Sequence, residues 1–216
     1  MRILVFAPHN DDEVLGVGGT IAKYVNEGHE VYVCEVTSGV DKKRLERIEN
    51  EALAAHRILG VKETMFLGLP VVGLSDIPLK ELNQSILDAV NKVKPDIAYI
   101  PHKGDMHDDH TRVAESAMVA LRPVNSPQLK AIYAYETLSE TEWNIPTVDN
   151  AFIPNAWTDI SETIDDKLRA MSEFKSQVKE FPNPRSLEAI ESLSKFRGST
   201  ICVRNAESFM VVRIIN

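Results

Sequence analysis

The sequence predicts an α/β protein of the doubly wound kind, in which helices cover both faces of a mostly parallel sheet. Three observations lead there. Short apolar runs of strand length alternate with amphipathic stretches of helix length up to about Thr137. Glycine or proline marks many of the changes, as at Pro8, Gly28, Gly60 and Pro95. The apolar runs are near-continuous, as in strands buried on both faces.

Arg2 to Ala7 (RILVFA) is a first strand that Pro8 ends. Val14 to Asn26 places Leu15, Ile21, Ala22 and Val25 at helical spacing and stops at Gly28. Val31 to Val36 is the second strand, Arg44 to Leu59 an amphipathic helix closed by Gly60, and Thr64 to Leu67 a short third strand. A helix over Ile77 to Val93, a strand over Ile97 to Ile100, a helix over Thr111 to Leu121 and a strand over Ala131 to Tyr135 continue the rhythm. After Thr137 it breaks into a stretch containing proline and asparagine up to Ala156. A helix near Ile164 to Phe174, a Pro-rich turn at Phe181 to Arg185, a helix to about Phe196 and a last strand from Phe209 to Ile214 follow. No repeat or low-complexity linker divides the chain. The expectation is one domain over residues 1–216, with a core at 1–137 and a segment at 138–216 that walls the site.

An apolar content of 44% with 26% charged residues is ordinary for a globular protein. No apolar stretch approaches the roughly 20 residues that span a bilayer, and the N-terminal residues lack a signal-peptide pattern. The expectation is a cytoplasmic protein with no membrane partner. A formal net charge of −8 without a dense basic block argues against nucleic acid and points to a small-molecule partner. Cys34 and Cys202 have no metal-ligand spacing, and both are expected to be buried thiols.

In a doubly wound sheet, ligands bind beyond the carboxyl ends of the strands where strand order reverses, commonly between the first and fourth strands. The loops at that place are Pro8-His9-Asn10-Asp11-Asp12-Glu13 and Pro101 to His110, and they hold four of the six histidines. His9 and Asp12 lie three apart, as do His107 and His110, so each pair can chelate from one side of a turn or helix start. Two imidazoles and a carboxylate leave a fourth position for water, the open arrangement of catalytic zinc, whose water ionises near pH 7. Asp11 can take the water's proton. The histidine not used as a ligand can donate to a leaving amine or polarise an oxyanion, with Asp109 keeping that ring charged.

Blander readings exist for each feature. Asp11, Asp12 and Glu13 precede a helix, where acidic residues cap free N–H groups, and a histidine pair in a polar loop is often solvated surface. Neither explains His9 together with a second histidine cluster across the same crevice. Gly16, Gly18 and Gly19, with Glu35 at the end of the second strand, suggest a dinucleotide fingerprint, but Ile21 stands where its last glycine belongs and the glycines start too far from the strand. Close packing of helix on sheet is the better use for them.

PHNDDEVLGVGG (Pro8 to Gly19) with DMHDDH (Asp105 to His110) resembles the LmbE-like, or PIG-L, family of metal-dependent N-deacetylases. Softer matches follow in Glu51 to Val61, Pro95 to Asp105, Phe174 to Gln177, Arg197-Gly198 and Ala206 to Phe209. The resemblance implies a Rossmann-like fold, one Zn2+ per chain on His9, Asp12 and His110 with Fe2+ as the alternative in the cell, Asp11 as general base, and His107 as a charged acid oriented by Asp109. It also implies an acetamido sugar or N-acetylglucosaminyl conjugate as substrate, and allows a homo-oligomer. Three positions depart from the pattern. Asn10 replaces a proline. Ile48 stands where the family often has a substrate-contacting arginine, which leaves Arg47 or Arg44 to substitute. Phe174 stands where the family has a histidine. A non-haem metal oxygenase and a non-catalytic metal-binding member of the fold are the competing readings.

Overall fold

The structure, a computed structural model, describes residues 1–38 and 42–215, with side chains given for all of these except residues 42–44. A seven-stranded sheet runs through the molecule in the order β3-β2-β1-β4-β5-β7-β6. Its strands are β1 (Arg2–Ala7), β2 (Glu30–Ser38), β3 (Glu63–Pro70), β4 (Ile97–Pro101), β5 (Ala131–Tyr135), β6 (Ala156–Asp159) and β7 (Ala206–Ile214). The first five are parallel to one another, and β7 runs antiparallel to both β5 and β6. Strand order reverses between β1 and β4, the expected switch point.

The helices are α1 (Asp12–Asn26), α2 (Lys42–Leu59), α3 (Leu79–Val93), α4 (Asp108–Ala120), α5 (Ile164–Glu173) and α6 (Leu187–Ser199). Strand periodicity divides the core between the two faces of the sheet. Ile3 and Val5 of β1, with Ile97 and Tyr99 of β4, pack under Val14, Leu15, Ala52, Leu59, Met171 and Ile190 of α1, α2, α5 and α6. Leu4, Phe6, Ala98 and Ile100 face the opposite way, toward Leu82, Ile86, Val113 and Ala117 of α3 and α4. Residues Ile3 to Ala7 have no exposed surface. At roughly 1.5–3 kcal/mol for each large apolar side chain buried, β1 makes a rigid base for the loop that follows it.

Gly16 explains the glycines of α1. A Cβ placed there would lie 2.2 Å from Cδ2 of the buried Tyr135, and one at Gly19 would lie 2.7 Å from Ile160. The later segment is tied to the same helix by a buried polar joint. Glu207 of β7 accepts from the backbone N–H groups of Gly19 (2.9 Å) and Thr20 (2.7 Å) and pairs with Lys167 of α5 at 2.6 Å, while Lys167 also donates to the Leu15 carbonyl at 2.7 Å.

Several expectations need correction. Helix α1 begins two residues before Val14 and α4 three before Thr111, so Asp12 and His110 stand in first turns instead of loops. A strand not expected, β6, lies at the sheet edge, where half-exposed AWTD has no apolar run to announce it. Cys34 is buried in β2, but Cys202 is exposed, because it sits at φ 60° in the turn after α6 instead of in a strand.

Candidate metal centre and active site

The two loops meet beyond the carboxyl ends of β1 and β4. His9 Nδ1 lies 3.2 Å from Asp12 Oδ2, His110 Nε2 lies 3.1 Å from the same oxygen, and the two ring nitrogens are 3.3 Å apart. Metal–ligand bonds of about 2.0–2.2 Å in a tetrahedron give donor–donor edges of about 3.3 Å, so this triangle has the dimensions of three corners around one ion. Asp12 Oδ1 is buried without a hydrogen-bond partner among the described residues. Each imidazole is oriented from behind by a carboxylate: His9 Nε2 donates to Asp109 Oδ2 at 3.2 Å, and His110 Nδ1 to Asp105 Oδ2 at 2.8 Å. That outer ring is the usual support for metal-binding histidines. The residues present therefore fit a divalent cation.

The electrostatics agree. Burial opposes charge on both rings, yet the surrounding carboxylates prevail. His9 is raised to about 9 by Asp109 and Asp12, and His110 to about 10 by Asp12 and Asp105. Burial also opposes ionisation of Asp12, but His110 and His9 hold it well below the usual carboxylate range. The pocket is built to hold positive charge.

Asp11 is buried at the start of α1, and its side chain makes no capping hydrogen bond. Its φ of 138° is a strained conformation for a residue with a side chain, of the kind that concentrates at functional sites. Two contacts hold it there: its N–H donates to Glu13 Oε2 at 3.1 Å, and its carboxylate accepts from Arg185 Nη1 at 3.1 Å. Burial pushes its pKa up to about 8 against the pull of Arg185. Behind it, Glu13 accepts from His56 Nε2 at 3.0 Å, and His56 Nδ1 lies 2.7 Å from Thr64 Oγ1.

His107 is the N-cap of α4, its Nδ1 accepting from the Asp109 N–H at 3.2 Å. The Asp109 carboxylate is 3.8 Å from that ring but 3.2 Å from His9, and it also accepts from the N–H groups of Val72 (2.8 Å) and Leu74 (3.3 Å). Asp109 thus orients His9 more closely than His107. Burial and the neighbouring His9 lower the pKa of His107, favouring the neutral ring over the charged one expected from the sequence.

Two adjoining cavities meet at His107 and Glu140. One of about 210 Å³ is lined by His9, Asn10, Asp11, Thr37, Ile48, Gln177 and Arg185 among others. The other, about 400 Å³, extends over Val72, Met106 and Trp143. A larger cavity of about 610 Å³, lined by parts of residues 136–153 with Leu193 and Arg197, has none of the clustered histidines in its wall. Arg47 lines a separate groove with Glu46, Asn50, Glu51 and Glu173, away from Asp11, while Ile48 faces the site. The side chain of Arg44 lies outside those described. Among the described side chains, the arginine that lines the cavity beside Asp11 is Arg185, which also donates to Ser139 (2.8 Å), Gln177 (3.3 Å) and Glu140 (3.5 Å). Sequence reasoning missed it, since 174 residues separate it from Asp11 and no spacing rule connects them. Other donor groups exist. His9–His107–Asp109 reuses the first ring and a carboxylate that is already bonded, and Glu13–Glu35–His56 is sealed within the protein.

Fold and site together define a doubly wound α/β protein with a candidate metal centre at its switch point. The sequence profile of the PIG-L family, described as GlcNAc-PI de-N-acetylase, matches residues 4–121, and the chain belongs to that family. The diacetylchitobiose deacetylase of Thermococcus kodakarensis is 27% identical over 195 residues, covering 83% of this chain and 71% of that protein. A probable N-acetyl-α-D-glucosaminyl L-malate deacetylase 2 of Bacillus anthracis is 26% identical over 190 residues, covering 82% and 81%. The crystal structure of the conserved protein TT1542 from Thermus thermophilus superimposes with a TM-score of 0.80 at 29% identity, covering 99% of this chain and 96% of that one.

Proposed function

We propose that the protein is a metal-dependent N-deacetylase that hydrolyses the linear amide of an acetamido sugar or its conjugate. The observation that carries this reading is the His9–Asp12–His110 triangle with Asp11 beside it. The three would hold the cation, with Zn2+ suiting two imidazoles and a carboxylate and Fe2+ as the alternative. When bound, the ion supplies an acidified water and an electrophile for the amide carbonyl.

The chain's own groups then have separate tasks. Asp11, next to Asp12 in the chain and held by Arg185, takes the proton from the attacking water and relays it toward the leaving amine. Arg185 fixes that carboxylate and keeps its charge tolerable in a buried place. His107 has its Nδ1 occupied by the α4 cap, which leaves Nε2 to donate to the developing oxyanion or the amine. Asp109 and Asp105 hold the two liganding rings in register.

The test is acetate release from a panel of N-acetylglucosamine conjugates, with free amine counted in the same samples. One acetate per amine, indifferent to oxygen, is expected. Strict dependence on oxygen would return the reading to a non-haem oxygenase, and a metal-loaded protein inert across the panel would favour a binding role.

A further inference from the structure

The larger of the two cavities at His107 has walls that the reaction above does not use. Trp143, Met106 and Val72 line it with 57%, 61% and 74% of their surfaces exposed, an unusual gathering of large apolar side chains beside a polar site. Trp143 is not on a loose loop. On one side of it Thr141 Oγ1 donates to Asp105 Oδ1 at 2.6 Å, and on the other Asn144 Nδ2 donates to the carbonyls of Gly104 (2.8 Å) and Asp105 (3.1 Å). The Met106 N–H is bound to the Glu140 carbonyl at 3.1 Å. The segment that carries Trp143 is therefore tied to the loop whose Asp105 orients His110, which sets where the indole is attached relative to the metal cluster.

The rim has the opposite character. Glu140 and Asp108 line the same cavity as acceptors, with Arg185 3.5 Å from Glu140 and Arg112 3.3 Å from Asp108, and Ser75 and Ser139 add hydroxyls. A ligand suited to both must offer an apolar face to an aromatic ring and hydroxyl donors along its edge. An acyl chain would bring no donors to the carboxylates, and an anionic group would have to compete with them for Arg185 and Arg112. A pyranose ring has both features.

We propose that Trp143, flanked by Met106 and Val72, is the platform of a second subsite that takes a neutral sugar ring attached to the acetamido sugar being hydrolysed. This rests on the deacetylase reading and narrows it: the substrate is an oligosaccharide of at least two rings, and the polar cavity of about 210 Å³ beside Asp11 takes the reacting one.

Acetate release from N-acetylglucosamine and from N,N′-diacetylchitobiose, measured on zinc-loaded wild type, Trp143→Ala and Trp143→Tyr, tests it. Wild type should prefer the disaccharide by about tenfold or more in kcat/KM, on the scale of one good aromatic contact. Trp143→Ala should lose most of that preference through KM for the disaccharide, and Trp143→Tyr should restore it. An unchanged ratio in Trp143→Ala, with both sugars hydrolysed, overturns the subsite and leaves the deacetylase reading standing; no acetate from either sugar in any sample overturns both. The chain has two tryptophans, so a Trp157→Phe, Asp11→Ala protein reports on Trp143 alone. Its emission should shift saturably with the disaccharide and not with the monosaccharide, and a flat titration would contradict the proposal.

Discussion

Asp11 and Asp12 are neighbours in the chain with opposite fates. Asp12 is held ionised by two imidazoles, whereas Asp11 is buried against one guanidinium and driven toward neutral pH. In the proposed reaction this division would separate holding a metal from moving a proton. Asp11→Ala is expected to keep the metal and lose turnover by about 100-fold or more, the usual worth of a positioned acid–base group; metal content and kcat on the same preparation check it, and normal turnover would remove Asp11 from the mechanism. His9, Asp11, Asp12, His107 and His110 were legible in the sequence because each lies in one of two short stretches after a strand, where spacing alone suggests chelation. Arg185 was not, because only the folded chain brings it to Asp11. The lowered pKa of His107 was not legible either, since it comes from burial and from His9, which only the folded chain brings beside it.

At the scale of elements, close approach decides most of the packing. Helix α1 lies so near β5 that a Cβ at Gly16 would meet the Tyr135 ring at 2.2 Å, and that ring cannot yield because its hydroxyl is bonded to the Phe6 carbonyl at 2.7 Å. Gly16→Val should therefore destabilise by about 1–3 kcal/mol or more through overpacking and displace the start of α1 where Asp12 stands. Denaturant melts and metal content read the two effects, and a variant as stable as wild type would refute the tight fit. The buried strands and periodic helices were visible in the sequence for the reason that they pack: apolar runs and faces have a period. The edge strand β6 was not, because half of its surface faces solvent and its pairing to β7 depends on backbone hydrogen bonds that any sequence can make.

For the molecule as a whole, the C-terminal part is as much a portion of the site as the motif loops are. It adds β6 and β7 to the sheet, supplies Gln177 and Arg185 to the cavity, and joins α5, β7 and α1 through Lys167 and Glu207. We infer a single cooperative domain over residues 1–216, and expect one unfolding transition that Lys167→Met lowers by about 3–5 kcal/mol, because Glu207 is left buried without its cation. Two separate transitions would divide the chain near residue 137. The switch point explains why so distant a set of residues converges: strand order reverses between β1 and β4, so the loops after both strands open on one crevice that the later segment closes. The central claim is that His9, Asp12 and His110 hold one catalytic divalent ion. The most direct measurement is metal content by mass spectrometry on protein purified without chelators and reloaded with zinc, for wild type and His110→Ala, with acetate release followed in the same samples. Close to one ion per chain, lost together with acetate release in the variant, is the predicted result. An ion content that His110→Ala leaves unchanged, or a wild type that takes up none, would contradict the account.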